Sequence, residues 1–464
     1  MSATPAPASE TGRPALSQSL KSRHVAMIAI GGIIGAGLFV GSSTSIATVG
    51  PAVIVSYALA GAVVLLVMRM LGEMAVSHPQ IRSFPDFARL GLGDWAGFMC
   101  GWLYWYFWVV VVPIEAIAGA TIVKQWLPGA EVWQIGVALM AVLTGVNLLS
   151  TRSYGEFEFW FSSLKVAAIL AFIVIAGAYV FGGHAGVGVH ALTAYKGFMP
   201  NGPVSVLAGV TSVIFALCGA EIATVAAAES AESASVVGRM SSMVAGRILV
   251  FYILSITLIV MVVPWTSIVP GKSPFAAALD HIGVPFTGAI MNVIVLVAVL
   301  SCLNSGLYVT SRVLFSLSDH GEAPAALVRL NKRQVPARAI LLGSLFSYAA
   351  LAASVLSPEV VFSFLVNASG AIMLVIYLLL AVAQVRLRSR LEREDPERLQ
   401  LKMWLHPWGS YLAIAGMVGV LVAMAATPSL AAQFYTSLAL ILVVGVAYLV
   451  HRSRRAARPH PALD

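Results

Sequence analysis

Apolar residues in this chain fall in long unbroken runs, not in the alternating or three-to-four-spaced stripes of a soluble protein. Twelve runs are long enough, at about 20 residues each, to cross a bilayer as helices. Their approximate limits are 24–48, 51–77, 95–126, 132–150, 157–181, 203–230, 243–264, 286–317, 338–356, 359–385, 408–427 and 430–450. Several are longer than a straight crossing needs, which predicts tilt or a break. The longest outer connections, 182–202 and 265–285, are too short to fold as receptor domains. The pattern predicts an all-α polytopic membrane protein.

Composition agrees with the pattern. Hydrophobic residues make up 59% of the 464 and charged residues 10%, where a soluble domain carries about 25% charged. Mean hydropathy is +0.89. Residues 1–20 are rich in Ser, Thr, Pro and Ala with no apolar run, and read as a disordered cytoplasmic tail, not a signal peptide. The net charge of +8 is distributed by side. With the N-terminus inside, the outer connections hold only Lys124, Lys196 and Lys272 of the 28 Lys and Arg. That asymmetry places both termini in the cytoplasm, accounts for the basic pI and removes nucleic acid as a partner. The inner loop 386–406 alternates Arg with Glu and Asp, and its default reading is a solvated helix face.

Several chemistries are absent. There is no phosphate-binding G-x-x-x-x-G-K-[ST] loop, and no H-E-x-x-H or G-x-S-x-G motif of a hydrolase. Cys100, Cys218 and Cys302 are dispersed in apolar runs, with neither disulfide nor metal-ligand spacing. All nine histidines lie in tails, loops or span ends, so a histidine relay across the membrane is excluded.

The first run contains Gly31, Gly32, Gly35, Gly37 and Gly41. Glycines at this density allow a helix to unwind, and irregular backbone survives in lipid only against protein or a wet cavity. The same residues form Gly31xxxGly35 and Gly37xxxGly41, patterns of close helix packing. The sixth run holds a counterpart, Phe215-Ala216-Leu217-Cys218-Gly219-Ala220-Glu221. There Glu221 is placed to cap a second half-helix, or to pack as a protonated side chain. Glu115 falls near mid-membrane in the third run, where an ionisable side chain is costly and functional by default; packing against a neighbouring helix is the alternative. Lys165 lies nine residues into the fifth run, as a proton carrier, a fixed substitute for a sodium ion, or a snorkelling side chain. Asn292, Ser301, Asn304 and Ser305 place polar groups in the eighth run, as ligands or interhelical glue. Trp102, Tyr104, Trp105, Tyr106 and Trp108 crowd the third, partly as a packing stripe and partly interfacial.

Interrupted runs one and six stand five spans apart, and an odd repeat of five inverts the second copy. Paired broken helices in inverted repeats point to a transporter's binding site, with half-helix amides for a carboxylate and unwound carbonyls for an ammonium. A zwitterion fits.

Several segments resemble the amino-acid transporter family of the amino acid–polyamine–organocation superfamily. They include Leu20-Lys21-Ser22-Arg23-His24, the stretch from Gly35 to Ser42, and Met68-Arg69-Met70-Leu71-Gly72-Glu73-Met74-Ala75. Within that family Gly101-Trp102-Leu103-Tyr104-Trp105, Tyr154 to Trp160, Gly197 to Gly202, Gly219 to Ile222, Ala226 to Ser230 and Ser301 to Ser305 look most like the bacterial members that carry 4-aminobutyrate (GABA). The likeness runs from residue 20 to about 450. It implies a LeuT-type fold with twelve transmembrane helices: a five-helix repeat over 21–182, its inverted copy over 203–386, two further helices over 387–452 and a cytoplasmic tail at 453–464. Helices 1 and 6 are broken in that fold. It further implies proton-coupled uptake of GABA, or of asparagine, lysine or an aromatic amino acid, across a bacterial inner membrane by a monomer or weak dimer. No cofactor or metal is implied beyond the coupling proton. Carried over by position, Ile33, Ile34, Gly35, Ala36 and Gly37 would bind substrate through backbone groups. Phe215, Leu217, Cys218 and Gly219 would face them with carbonyls and a gating aromatic. Glu115 matches a third-span glutamate of the family, and Lys165 the lysine that replaces a sodium site. Glu115, Ser301 and Asn304 complete the expected pocket, and Lys165, Glu115 and Glu221 are the expected proton carriers.

Overall fold

The computed structural model describes residues 34–81, 83–149, 154–184, 186–219, 221, 246–331 and 335–456. Helix α1 is Gly37–Val49, its first five residues π-helical. It is followed by α2 (Val53–Ser77), α3 (Phe84–Leu92), α4 (Asp94–Lys124), α5 (Val132–Leu149), α6 (Tyr154–Phe181) and α7 (Gly202–Leu217). The second half holds α8 (Ile248–Val262), α9 (Pro274–Ile282), α10 (Thr287–Asp319), α11 (Ala337–Ala353), α12 (Pro358–Glu394), α13 (Trp408–Ala426) and α14 (Pro428–Ala456). Seven of these are long and apolar enough to cross a membrane: α2, α4, α6, α10, α12, α13 and α14. The shorter apolar helices α1, α5, α7, α8 and α11 lie in the remaining apolar runs. The chain is an all-α, multi-pass membrane protein.

The centre is α4, which packs against α10, α12, α5, α11 and α3. Its aromatic residues form a packed stripe. Tyr104 and Trp108 are edge to face at 6.2 Å and almost wholly buried, and Phe107 reaches the Phe215 ring at 6.4 Å. Helix α7 lies between α2, α12 and α13. Its crossing with α12 is closest at Gly370, where a Cβ would collide with the carbonyl oxygen of Thr211.

Two short helices, α3 and α9, sit in connections. Helix α9 begins at a Ser273 cap that accepts from the Ala276 N–H, with Pro274 in its first turn, and ends at Gly283 with φ +78°.

The stretch 386–406 follows its reading as a solvated helix face in part. Helix α12 continues to Glu394, so 386–394 is helix. One face of that extension is buried: Arg388 and Gln384, one turn apart, both donate to Glu73 of α2, with Gln384 Nε2 at 2.7 Å. The Met403 N–H donates to the same carboxylate, and Ser410 Oγ donates to Gln384 Oε1 at 2.9 Å. Glu73 is 2% exposed, and these donors satisfy its carboxyl oxygens in place of water. Arg386, Arg390, Arg393, Glu394, Glu397 and Arg398 form the solvated face that the charge pattern predicts.

A second charge cluster joins α3 to the end of α10. Arg89 donates to Glu322 at 2.7 Å and lies 3.6 Å from Asp86, whose carboxylate meets His320 at 3.2 Å. The hydrogen bond to Asp86 raises His320 from the ordinary histidine value to about 9, against an opposing effect of burial. Folded His320 thus holds its proton to a higher pH than an unfolded histidine, near 6.5. Its stabilising contribution is complete below about pH 6.5 and is lost as pH rises through about 9. The melting temperature of the wild type should exceed that of His320→Gln by more at about pH 6 than at about pH 10. A gap independent of pH would contradict this reading.

Candidate functional site

Two helix ends meet in the buried interior of the bundle. Ile34 has no regular structure and Gly35 forms a bend, so the helical run of α1 begins at Ala36. The first amides of a helix lack carbonyl partners within it. Glu115 of α4 supplies the acceptor: its two carboxylate oxygens accept from the Ala36 N–H at 3.1 and 3.0 Å. The Phe39 N–H returns to the Gly35 carbonyl at 3.2 Å. The inner half of this span, with Ile33, lies outside the described residues.

Helix α7 stops at Leu217 after 16 residues, about 24 Å of rise. Cys218 is extended, and Gly219 takes φ +107°, a conformation that a side chain disfavours. The Gly219 N–H donates to both oxygens of Glu221, at 2.9 and 3.0 Å, and the Tyr377 hydroxyl donates to the same carboxylate at 3.2 Å. Arg247, beside the start of α8, is 8% exposed and within electrostatic reach of Glu221 and Tyr377. The continuation of this span, 222–230, lies outside the described residues, and with it any helix end that Glu221 was expected to cap.

The two ends touch. A Cβ on Gly37 would lie 2.8 Å from Ala216 Cα and 3.3 Å from the Phe215 ring, and one on Gly41 would meet that ring at 3.7 Å. Gly37 therefore serves close packing. Gly35 also has no room for a side chain, since its Cβ would fall 2.8 Å from Cys302 Sγ and 2.9 Å from Glu115 Oε1.

Helix α10 links this centre to α6. The Cys302 thiol donates to Glu115, and the preceding residue, Ser301, accepts from Lys165 Nζ at 3.0 Å. Lys165 is wholly buried, so its amine ends inside the bundle and not among headgroups. Lys165, Ser301, Cys302, Glu115 and Ala36 thus form one connected set across four elements. Asn304 turns elsewhere: its Oδ1 accepts from Asn147 of α5 at 2.7 Å. Ser305 donates back to the Ser301 carbonyl at 3.0 Å. Asn292 lies only five residues into α10 and meets Gln125 at an exposed position, so it does not reach the bundle interior as its sequence position suggested.

Sequence reasoning overlooked Cys302, Tyr377, Arg247 and Asn147. Cys302 was weighed only as a disulfide or metal ligand, although it adjoins Ser301. Tyr377 is a single phenol in an apolar run, and that is a readable signal. Among the described residues, no three His, Cys, Asp or Glu side chains come together to hold a metal ion.

The amino acid permease family model matches residues 24–460. The chain is 48% identical over 445 residues to the gamma-aminobutyric acid permease of Bacillus subtilis, covering 95% of each protein. It is 44% identical to the gamma-aminobutyric acid permease of Escherichia coli K12, over 89% of this chain and 90% of that one. Identity to the aromatic amino acid transport protein AroP of Corynebacterium glutamicum is 37%, over 91% and 92%. The chain belongs to the amino acid permease family of the amino acid–polyamine–organocation superfamily, and is accordingly a transporter and not an enzyme.

Proposed function

We propose that this protein carries GABA inward across a bacterial cytoplasmic membrane, coupled to protons, by alternating access. The observation that carries the reading is the contact between two helix ends inside the membrane, Gly37 against Ala216. The higher identity to GABA permeases than to the aromatic transporter favours the substrate. In this reading the amides of Gly35 and Gly37, on either side of the Ala36 amide that Glu115 holds, face the substrate carboxylate, where the helix end is positive. Carbonyls at Phe215 to Gly219 face its ammonium, and the Phe215 ring gates it. Ser301 contributes from α10, and Asn304 supports α10 from the α5 side. The fold is the LeuT type, with repeats over 21–182 and 203–386, two further helices over 387–452, and both tails, 1–20 and 453–464, in the cytoplasm. The working unit is a monomer or weak dimer.

The proton is assigned to the set around Glu115 and Lys165, with Glu221 as a second carboxylate. Two buried titratable groups, joined through Ser301 and Cys302, bias α1 toward α10 in one protonation state and release it in the other. Exchange of one amino acid for another would use the same site, and is distinguished by efflux that requires external substrate.

Proteoliposomes should accumulate labelled GABA faster with an inward proton gradient than without one, and equal uptake would exclude symport. Lys165→Ala should lower gradient-driven uptake at least about tenfold, equivalent to roughly 1.4 kcal/mol, while GABA still raises the melting temperature. Normal transport by that variant at every pH would make Lys165 a packing residue. Gly37→Leu should abolish uptake while the protein remains monodisperse, because the new side chain meets the backbone of α7.

A further inference from the structure

Helix α14 is the least covered of the long apolar helices. Only 11% of its most apolar stretch is buried, against 83% for α4. Near its basic end a half-open cavity of about 970 Å³ separates it from the start of α4 and from the loop that follows α10. The cavity has two kinds of wall. Phe98, Val444 and Ala447 make an apolar floor, and Val443 and Val450 continue it outward, 64% and 44% exposed, toward the hydrocarbon. The opposite end is polar, with His320, Glu322, His451, Arg454 and Arg455.

The charges at that end are unevenly matched. Glu322 is engaged by Arg89 at 2.7 Å, and the nearby Asp86 by His320 at 3.2 Å and by Arg89. His320 stays protonated at neutral pH through Asp86. Arg454 and Arg455 carry no ion pair to any carboxylate among the described residues. In the same wall the Trp102 indole N–H is buried and finds no acceptor among the described residues. Two unmatched guanidiniums therefore stand at the rim of an apolar slot that opens sideways.

We propose that this cavity binds one anionic glycerophospholipid of the inner leaflet. Its phosphate lies against Arg454 and Arg455, and an acyl chain runs along Phe98, Val444 and Ala447. The inference uses the cytoplasmic placement of the termini proposed above, where anionic headgroups meet basic pockets between helices. A free anion would satisfy the arginines and leave the apolar floor empty. A zwitterionic lipid would fill the floor and bring no net charge to the arginines.

Native mass spectrometry of the detergent-solubilised full chain tests this with phosphatidylglycerol and with phosphatidylcholine of the same acyl chains. The wild type should retain one phosphatidylglycerol more tightly than any phosphatidylcholine. The double variant R454Q/R455Q should bind that lipid roughly 30-fold more weakly, with phosphatidylcholine binding unchanged. Ala447→Trp, which fills the floor and leaves both arginines in place, should also lose the tight lipid. Unchanged melting temperature and elution of both variants are the folding check. Equal retention of the two lipids by the wild type would overturn the proposal, as would full retention by either variant. Displacement by inorganic phosphate alone would reduce the site to a bare anion patch and overturn it equally.

Discussion

A helix that starts inside a bilayer leaves amides with nothing to bond, an amide beyond the end of one that stops is as exposed, and each costs several kcal/mol in hydrocarbon. This protein meets that constraint with buried carboxylates. Glu115 accepts from Ala36 where α1 begins, and Glu221 accepts from Gly219 where α7 has ended. Each acid comes from a different place in the chain, one 79 residues away on α4 and the other two residues on. Yet the solution is the same in both: an acceptor-only group at a place where backbone donors are exposed. Removing either would leave an amide unpaired in a dry site, so these acids hold the helix ends in position before any substrate arrives.

The same arrangement makes the site responsive. A carboxylate that caps a helix can release it on protonation, because the neutral acid is a poorer acceptor. Lys165 and Glu115 are held by adjacent residues of α10, Ser301 and Cys302, and in the proposed cycle that shared element couples them. Helix α10 then runs on to Asp319, next to His320 and Glu322 in the inner charge cluster with α3. A single 33-residue helix thus runs past the paired helix ends to the charge cluster at α3. Motion of α10 relative to α1 would be felt at both places.

Much of this was legible in the chain because hydrocarbon is an unforgiving solvent. Apart from spans one and six, which are only partly described, and the extension of α12, the runs of apolar residues located the helices to within a few positions. Glycine stands both at the bend before Ala36 and just past the end of α7. Glu115 and Lys165 stood out as charges where charges are costly. What remained unreadable depends on contacts between distant segments. The Glu73–Arg388 pair joins residues 315 apart, and nothing local at 386–394 distinguishes its buried face from its solvated one. Helices α3 and α9 are too short for periodicity to reveal, although the Ser273-Pro274 start and Gly283 stop of α9 are ordinary capping signals. Asn292 was misplaced because polarity alone does not tell how deep in a helix a residue lies. The glycines posed a different problem. Packing and backbone irregularity were set against each other, whereas Gly37 packs on Ala216 two positions from the bend at Gly35.

The central claim is that the backbone opens at two facing places in the membrane and that those places receive the substrate. Hydrogen–deuterium exchange of the reconstituted protein, read at the amides of 34–39 and 216–219 with and without GABA, tests it most directly. Both segments should exchange faster than the middle of α4 in the empty protein, and GABA should slow both together. Protection equal to that of α4 without ligand, or no response to GABA in either segment, would contradict the account.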